Sequence, residues 1–125
     1  MHVVTVHWRD PRWVAPQVRF MRRHLPEHRT WAAVEGIPAE DAAAFDVALE
    51  LDGTHPEKLN DLARRVVEVA APDDLLLFLD GDAFPIARVD TSILGGRALA
   101  AVRRDENLGD PQPHPCFCLT TVGYW

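Results

Sequence analysis

Leu75-Leu76-Leu77-Phe78-Leu79-Asp80-Gly81-Asp82-Ala83-Phe84-Pro85 sets the frame: five apolar residues lead into two carboxylates with one Gly between them, and a Pro closes the stretch. An apolar run this short, closed by Gly and Pro, predicts a strand buried on both faces, as in a parallel sheet. Its carboxyl end then leaves Asp80 and Asp82 at the rim of the sheet, where open α/β folds bind ligands. Two acids held close on a stiff strand end repel each other unless a cation sits near them. The chemistry they suit is a hard, oxygen-ligated Mg²⁺ or Mn²⁺ shared with substrate phosphates. The chain holds twelve Asp in 125 residues, so about one Asp-x-Asp pair is expected by chance and the spacing alone carries little. The buried strand before the pair, the Gly inside it and the turn after it carry the signal. The bland alternative is a turn whose acids face only water.

On either side of this stretch, strands and helices alternate. His2–Trp8 is β-branched and apolar and predicts a first strand, ended by Arg9-Asp10-Pro11. Residues 13–25 predict a helix, with Val14, Val18, Met21 and Leu25 at helical spacing and Pro26 as the stop. A second strand is expected over 28–34 and a third over 45–51, although Ala42-Ala43-Ala44 favours helix. Thr54-x-x-Glu57 with Pro56 is a capping box. The helix it opens is expected to run to about Ala70, with Leu59, Leu62, Ala63, Val66 and Val69 inward. After Pro85 comes a connection with a short turn of helix over 86–96, then a strand over 97–103. Polar residues and three Pro make 105–115 a loop, and 116–122 a last strand. The alternation predicts an α/β fold with a largely parallel sheet and flanking helices.

The length fits one domain over 1–125 with a modest core. The net charge of −6 argues against a nucleic-acid or anionic-membrane surface. No apolar run reaches the length of a membrane span and the start lacks a signal-peptide core, so a soluble cytoplasmic protein is expected. Cys116 and Cys118 are too few and too close for a disulfide framework. Arg outnumbers Lys twelve to one and Ala is abundant, which reads as coding bias. The aromatic pair at the end, Tyr124-Trp125, suggests a cut chain or a terminus packed down.

The apolar run into Asp-x-Asp-Ala-Phe-Pro, behind a first strand ending in a polar-aromatic cluster, resembles the nucleotide-binding N-terminal part of GT-A-type glycosyltransferases. Within these, bacterial family-2-like nucleotide-sugar transferases are the nearest match. The likeness is specific at Leu75–Pro85 and weaker at Val3–Arg9 and His114–Phe117. It implies a divalent cation, Mn²⁺ or Mg²⁺, held by Asp82 with Asp80, and a UDP- or GDP-linked sugar as donor to an unknown acceptor. It implies that Asp80 faces the ribose and that His7, Trp8 and Arg9 cradle the base, with Trp8 stacking on it. His55, Lys58 and Asn60 become ribose or base contacts. Full transferases are longer, so the chain is expected to be the donor-binding part of such a fold.

An acceptor hydroxyl attacking with inversion needs a base. The candidates after the acidic motif are Asp105, Glu106, Asp110 and His114, the last fixed between Pro113 and Pro115 and able to serve as base or metal ligand. Three other readings stand beside this one. His55-Pro56-Glu57 and Pro115-Cys116-Phe117-Cys118 approach the zinc-deaminase signature, but the Cys spacing is one residue short. A haloacid-dehalogenase-type phosphatase would use Asp80 as nucleophile, although its acidic motif normally opens the chain. A non-catalytic nucleotide-binding fragment is the third. Oligomeric state is open.

Overall fold

The structure, a computed structural model, describes residues 1–105, 109 and 111–125. Six strands form one sheet: β1 (His2–Trp8), β2 (Arg29–Glu35), β3 (Val47–Leu49), β4 (Leu75–Phe78), β5 (Leu99–Arg104) and β6 (Gln112–Thr121), in the order β3-β2-β1-β4-β6-β5. The pairs β1–β2, β1–β4 and β2–β3 are parallel, while β6 runs antiparallel to both β4 and β5. Among the described residues three α-helices accompany it, α1 (Val14–His24), the single turn α2 (Ala39–Ala42) and α3 (His55–Val67), with 3-10 turns at Pro11–Trp13 and Thr91–Leu94.

Both faces of the parallel strands are apolar because each face has its own helix. Val3, Ala32, Leu77 and Leu79 meet Val14, Val18 and Met21 of α1. Their neighbours Val4, Val6, Ala33 and Leu76 meet Leu59, Leu62, Ala63 and Val66 of α3. Alternate residues pointing to opposite faces thus require the continuous apolar runs that mark these strands. Each Val, Leu or Met among them contributes about 1.5–3 kcal/mol on full burial.

The expected fold class holds, and the boundaries move for local reasons. β3 is three residues long rather than seven. Phe45 turns into the core beneath α1, and the Asp46 carboxylate is committed to the Thr30 N–H and hydroxyl, both at 2.7 Å. The expected end of α3 at Ala70 contracts to Val67, and Val69, expected inward, is exposed. The capping box forms: the Glu57 carboxylate accepts the Thr54 N–H at 2.7 Å.

The largest correction concerns 105–115. Part of that expected loop is strand, since β6 begins at Gln112. Its pairing with β5 shifts by three residues between Ala101 (opposite Cys118) and Val102 (opposite His114). Residues 115–117 are left out of the pairing with β5 as a result. Pro113 and Pro115 are tolerated there because β4 has already ended at Phe78, so no strand on that side needs their missing N–H.

The chain order creates the site. From β1 the first crossover, through α1, places β2 on one side. The later one, through α3, places β4 on the other. The carboxyl ends of β1 and β4 are therefore a topological switch point, where an open sheet leaves a crevice. His7, Trp8, Asp80 and Asp82 all lie at that end.

Candidate functional site

A cleft of about 480 Å³ opens at the switch point, with His7, Trp8, Asp10, Trp13, His55, Asp80, Gly81, Asp82, Arg104, His114 and Pro115 in its walls. β4 delivers the acids. Its last bond to β1, from Leu79 N–H to the Val4 carbonyl at 3.0 Å, holds the strand until one residue before Asp80. A turn then closes from Ala83 N–H to the Asp80 carbonyl at 2.9 Å. Gly81 presses against β1: a Cβ there would stand 2.3 Å from the Val6 carbonyl oxygen. Only a residue without a side chain lets the turn approach this closely.

Asp80 is half-buried and Asp82 exposed. Asp80 Oδ1 is buried with no hydrogen-bond partner, and His55 Nε2 lies 3.5 Å from it without hydrogen-bond geometry. Burial raises the Asp80 carboxyl above the usual range, with the Asp82 charge adding to it, while His55 and His114 pull the other way. A buried carboxylate oxygen that makes no hydrogen bond, with only His55 at 3.5 Å and a second acid nearby, suits a cation.

No group of three or more His, Cys, Asp or Glu converges on a metal position among the described residues. The donor set is open and oxygen-rich. It fits a hard divalent ion whose remaining ligands come from phosphate and water. It does not fit the closed tetrahedral set that a zinc reading of His114, Cys116 and Cys118 would need. Both thiols are free and partly buried, and burial raises both.

At the end of β1, Trp8 is 62% exposed. Its indole N–H donates to Glu35 Oε1 at 2.9 Å, and the Arg9 guanidinium sits 5.1 Å above the ring. Arg9 has φ +54°, a conformation disfavoured for a residue with a Cβ. Such strain gathers at functional sites. Its N–H bonds the Glu35 carbonyl at 2.7 Å.

His7 is buried in the cleft floor. Its Nε2 lies 2.9 Å from Gln17 Oε1, and burial lowers its pKa, which favours the neutral ring. Asp10 is chelated by Arg12 at 2.8 and 2.7 Å. That hydrogen-bonded guanidinium is the main reason its carboxyl falls to about 2. His114 is placed by the β6 bulge. Its Nδ1 accepts the Cys116 N–H at 3.0 Å, so the hydrogen of the neutral ring sits on Nε2.

The cleft thus gathers His7, Trp8, His55, Asp80, Asp82 and His114 from the residues singled out in the sequence. Lys58 is elsewhere: it is buried and paired with Glu35 Oε2 at 2.5 Å. Asn60 lines a neighbouring apolar groove, with Leu99, Tyr124 and Trp125. Arg9 turns to Trp8 and Glu35 instead of the cleft. Of the base candidates, Asp105 is exposed and ion-paired with Arg103 at 2.5 Å, while Glu106 and Asp110 lie outside the described residues.

Sequence reasoning missed Glu35, Asp10, Trp13 and Gln17. Glu35 had a readable signal, since it precedes the Gly36-Ile37-Pro38 break and so sits at a strand's carboxyl end, as Asp80 does. Among the described residues no helix is long and apolar enough to cross a membrane.

No protein-family model and no curated protein matches the chain. Among solved structures, the galactosyltransferase LgtC, crystallised with donor and acceptor sugar analogues, matches with a TM-score of 0.57 and 16% identity. The match covers all of this chain and 59% of the galactosyltransferase, so the chain spans well under two thirds of its length. At this identity the likeness speaks to architecture: a mostly parallel α/β sheet with flanking helices, in the manner of a GT-A glycosyltransferase fold.

Proposed function

We propose that the chain is a glycosyltransferase-type domain that binds a nucleoside-diphosphate sugar across the β1–β4 crevice, with Asp80 and Asp82 gripping a divalent cation against the diphosphate. The observation that carries this reading is the bare, buried Oδ1 of Asp80 beside Asp82 at the switch point. The galactosyltransferase-like architecture supports it. When bound, Mn²⁺ or Mg²⁺ supplies the positive charge that stabilises a diphosphate leaving group.

The chain's own residues do the rest. Trp8, tethered by Glu35, offers its ring to the base. Asp82, the more exposed acid, is the metal ligand, and Asp80 shares the ion or faces the ribose. His55 extends the ribose side of the cleft. His114 presents Nε2–H towards a phosphate oxygen. With Nδ1 occupied by a backbone donor, the neutral ring suits that task better than proton abstraction or metal ligation. The base for an acceptor hydroxyl, whether Asp105 or a group outside the described residues, belongs to the acceptor side.

Thermal shift tests this reading. UDP or GDP with Mn²⁺ is expected to raise the melting temperature, and at a hundredfold excess over Kd the stabilisation is about 2.7 kcal/mol. Either component alone gives far less. Asp82→Ala removes the metal-dependent part. Trp8→Ala weakens nucleotide binding roughly tenfold or more, in line with ~1–3 kcal/mol per stacked base, and Trp8→Phe restores most of it. Equal stabilisation with and without Mn²⁺ would refute the reading. So would phosphate release from an aryl phosphate that is lost in Asp80→Asn.

A further inference from the structure

Gln17 is a fully buried polar residue on the core face of α1. Its amide nitrogen donates to the Asp80 carbonyl at 2.7 Å and to the Ala83 carbonyl at 2.9 Å. Carbonyls only accept, so these two contacts fix which end of the amide is nitrogen. Oε1 then accepts from the Thr5 hydroxyl at 3.3 Å and from His7 Nε2–H at 2.9 Å. All four hydrogen-bonding positions are filled, which is what lets an amide lie in an apolar core.

The two carbonyls are the ends of one turn, the same turn closed by Ala83 N–H on the Asp80 carbonyl. Gln17 therefore holds both ends of the segment that carries Asp80, Gly81 and Asp82. α1 also grips the residues beyond the turn: Phe20 stacks on Phe84 at 4.9 Å, and the His24 carbonyl accepts the Val89 N–H at 2.9 Å. No other side chain of α1 reaches the backbone of the acidic turn itself in a hydrogen bond among the described residues.

We infer that Gln17 is the positioning residue of the acidic turn, fixing the backbone that carries Asp80 and Asp82 before any ligand arrives. Its consequence for cation binding rests on the nucleotide-sugar reading above; its hold on the turn does not. A turn whose ends hang from one amide loses both tethers when the donors go, and the two acids, left to mutual repulsion, splay apart.

Two variants separate this role from packing. Gln17→Met keeps the volume and removes all four bonds. Gln17→Glu keeps the shape but exchanges the amide donors for a carboxyl that burial pushes towards its protonated form, so at most one of the two carbonyl tethers survives. Hydrogen–deuterium exchange is read on peptides covering residues 79–86, and Mn²⁺ affinity is titrated in the presence of UDP. Both variants are expected to exchange about tenfold faster in that segment, with α3 and β2 unchanged, and to bind Mn²⁺ about tenfold more weakly. Thr5→Val, which removes only an acceptor-side bond, is expected to leave exchange in the turn as in the parent. Unchanged exchange in both variants would overturn the inference. So would faster exchange spread evenly through the core, an equal effect of Thr5→Val, or failure of both Gln17 variants to fold. If the parent protein binds no Mn²⁺–UDP, the nucleotide-sugar reading fails, and the exchange comparison still decides whether Gln17 holds the turn.

Discussion

Asp80→Asn is expected to raise the melting temperature of the ligand-free protein at neutral pH and to abolish its response to Mn²⁺ with UDP. The sign comes from the raised carboxyl. Burial favours the protonated form in the folded state, so the native protein holds a proton that the unfolded chain has already lost. Asp80 therefore lowers stability as pH rises from the ordinary Asp range through its folded value, and the penalty is fully present above that value. Replacing it with a neutral amide removes the penalty, giving a gain at pH 7 that disappears when the comparison is made near pH 3. Such a trade, stability given up for a poised charge, is common at binding sites. Thermal melts of parent and variant across that pH range, each with and without Mn²⁺–UDP, check both halves. A variant less stable at pH 7 would show that Asp80 serves the fold and not a ligand.

Gly81→Ala is expected to have the largest structural effect of any Gly→Ala change in the chain. The new Cβ meets the Val6 carbonyl oxygen at 2.3 Å, and that oxygen belongs to β1, the central strand, which cannot move aside. The turn must lift away, costing about 1–3 kcal/mol as overpacking usually does, and carrying both acids from their places. Denaturant titration should show the loss, and the Mn²⁺-dependent nucleotide shift should vanish with it. Gly96, where an added Cβ meets nothing within 4 Å, is the natural comparison. Its φ of +75° still penalises Ala, but the cleft should be untouched.

Much of this architecture was legible because the parallel strands leave a distinct trace. A strand covered by α1 on one face and α3 on the other is apolar at successive positions, as Val3-Val4 and Leu75–Phe78 are. The acids were legible for the same reason: a buried strand has to end at a rim. The features that stayed hidden depend on partners far away in the chain. Lys58 reads as a ribose or base contact just after a helix start. Yet it lies four residues before Leu62, on the same helical stripe, and the sheet end offers it Glu35 at 2.5 Å. Gln17 is off-pattern on an apolar helix face, and only the fold reveals that two carbonyls of the acidic turn wait opposite it. The Pro-rich stretch before Cys116 reads as loop, because nothing local tells that β4 will stop at Phe78 and free that side of β6 from needing donors. The cleft wall that brings His114 towards Asp80 was therefore unreadable in detail, although His114 itself was noticed.

Crystals grown with UDP and MnCl₂, measured at the manganese absorption edge, decide whether the two acids hold a cation against a nucleotide. One anomalous peak is expected in the β1–β4 crevice, touching the Asp82 carboxylate and the nucleotide diphosphate, with Asp80 Oδ1 turned towards it and the base against Trp8. An ordered nucleotide in the crevice with no manganese between it and the two acids, or manganese bound elsewhere while the crevice stays empty of nucleotide, would contradict that assignment.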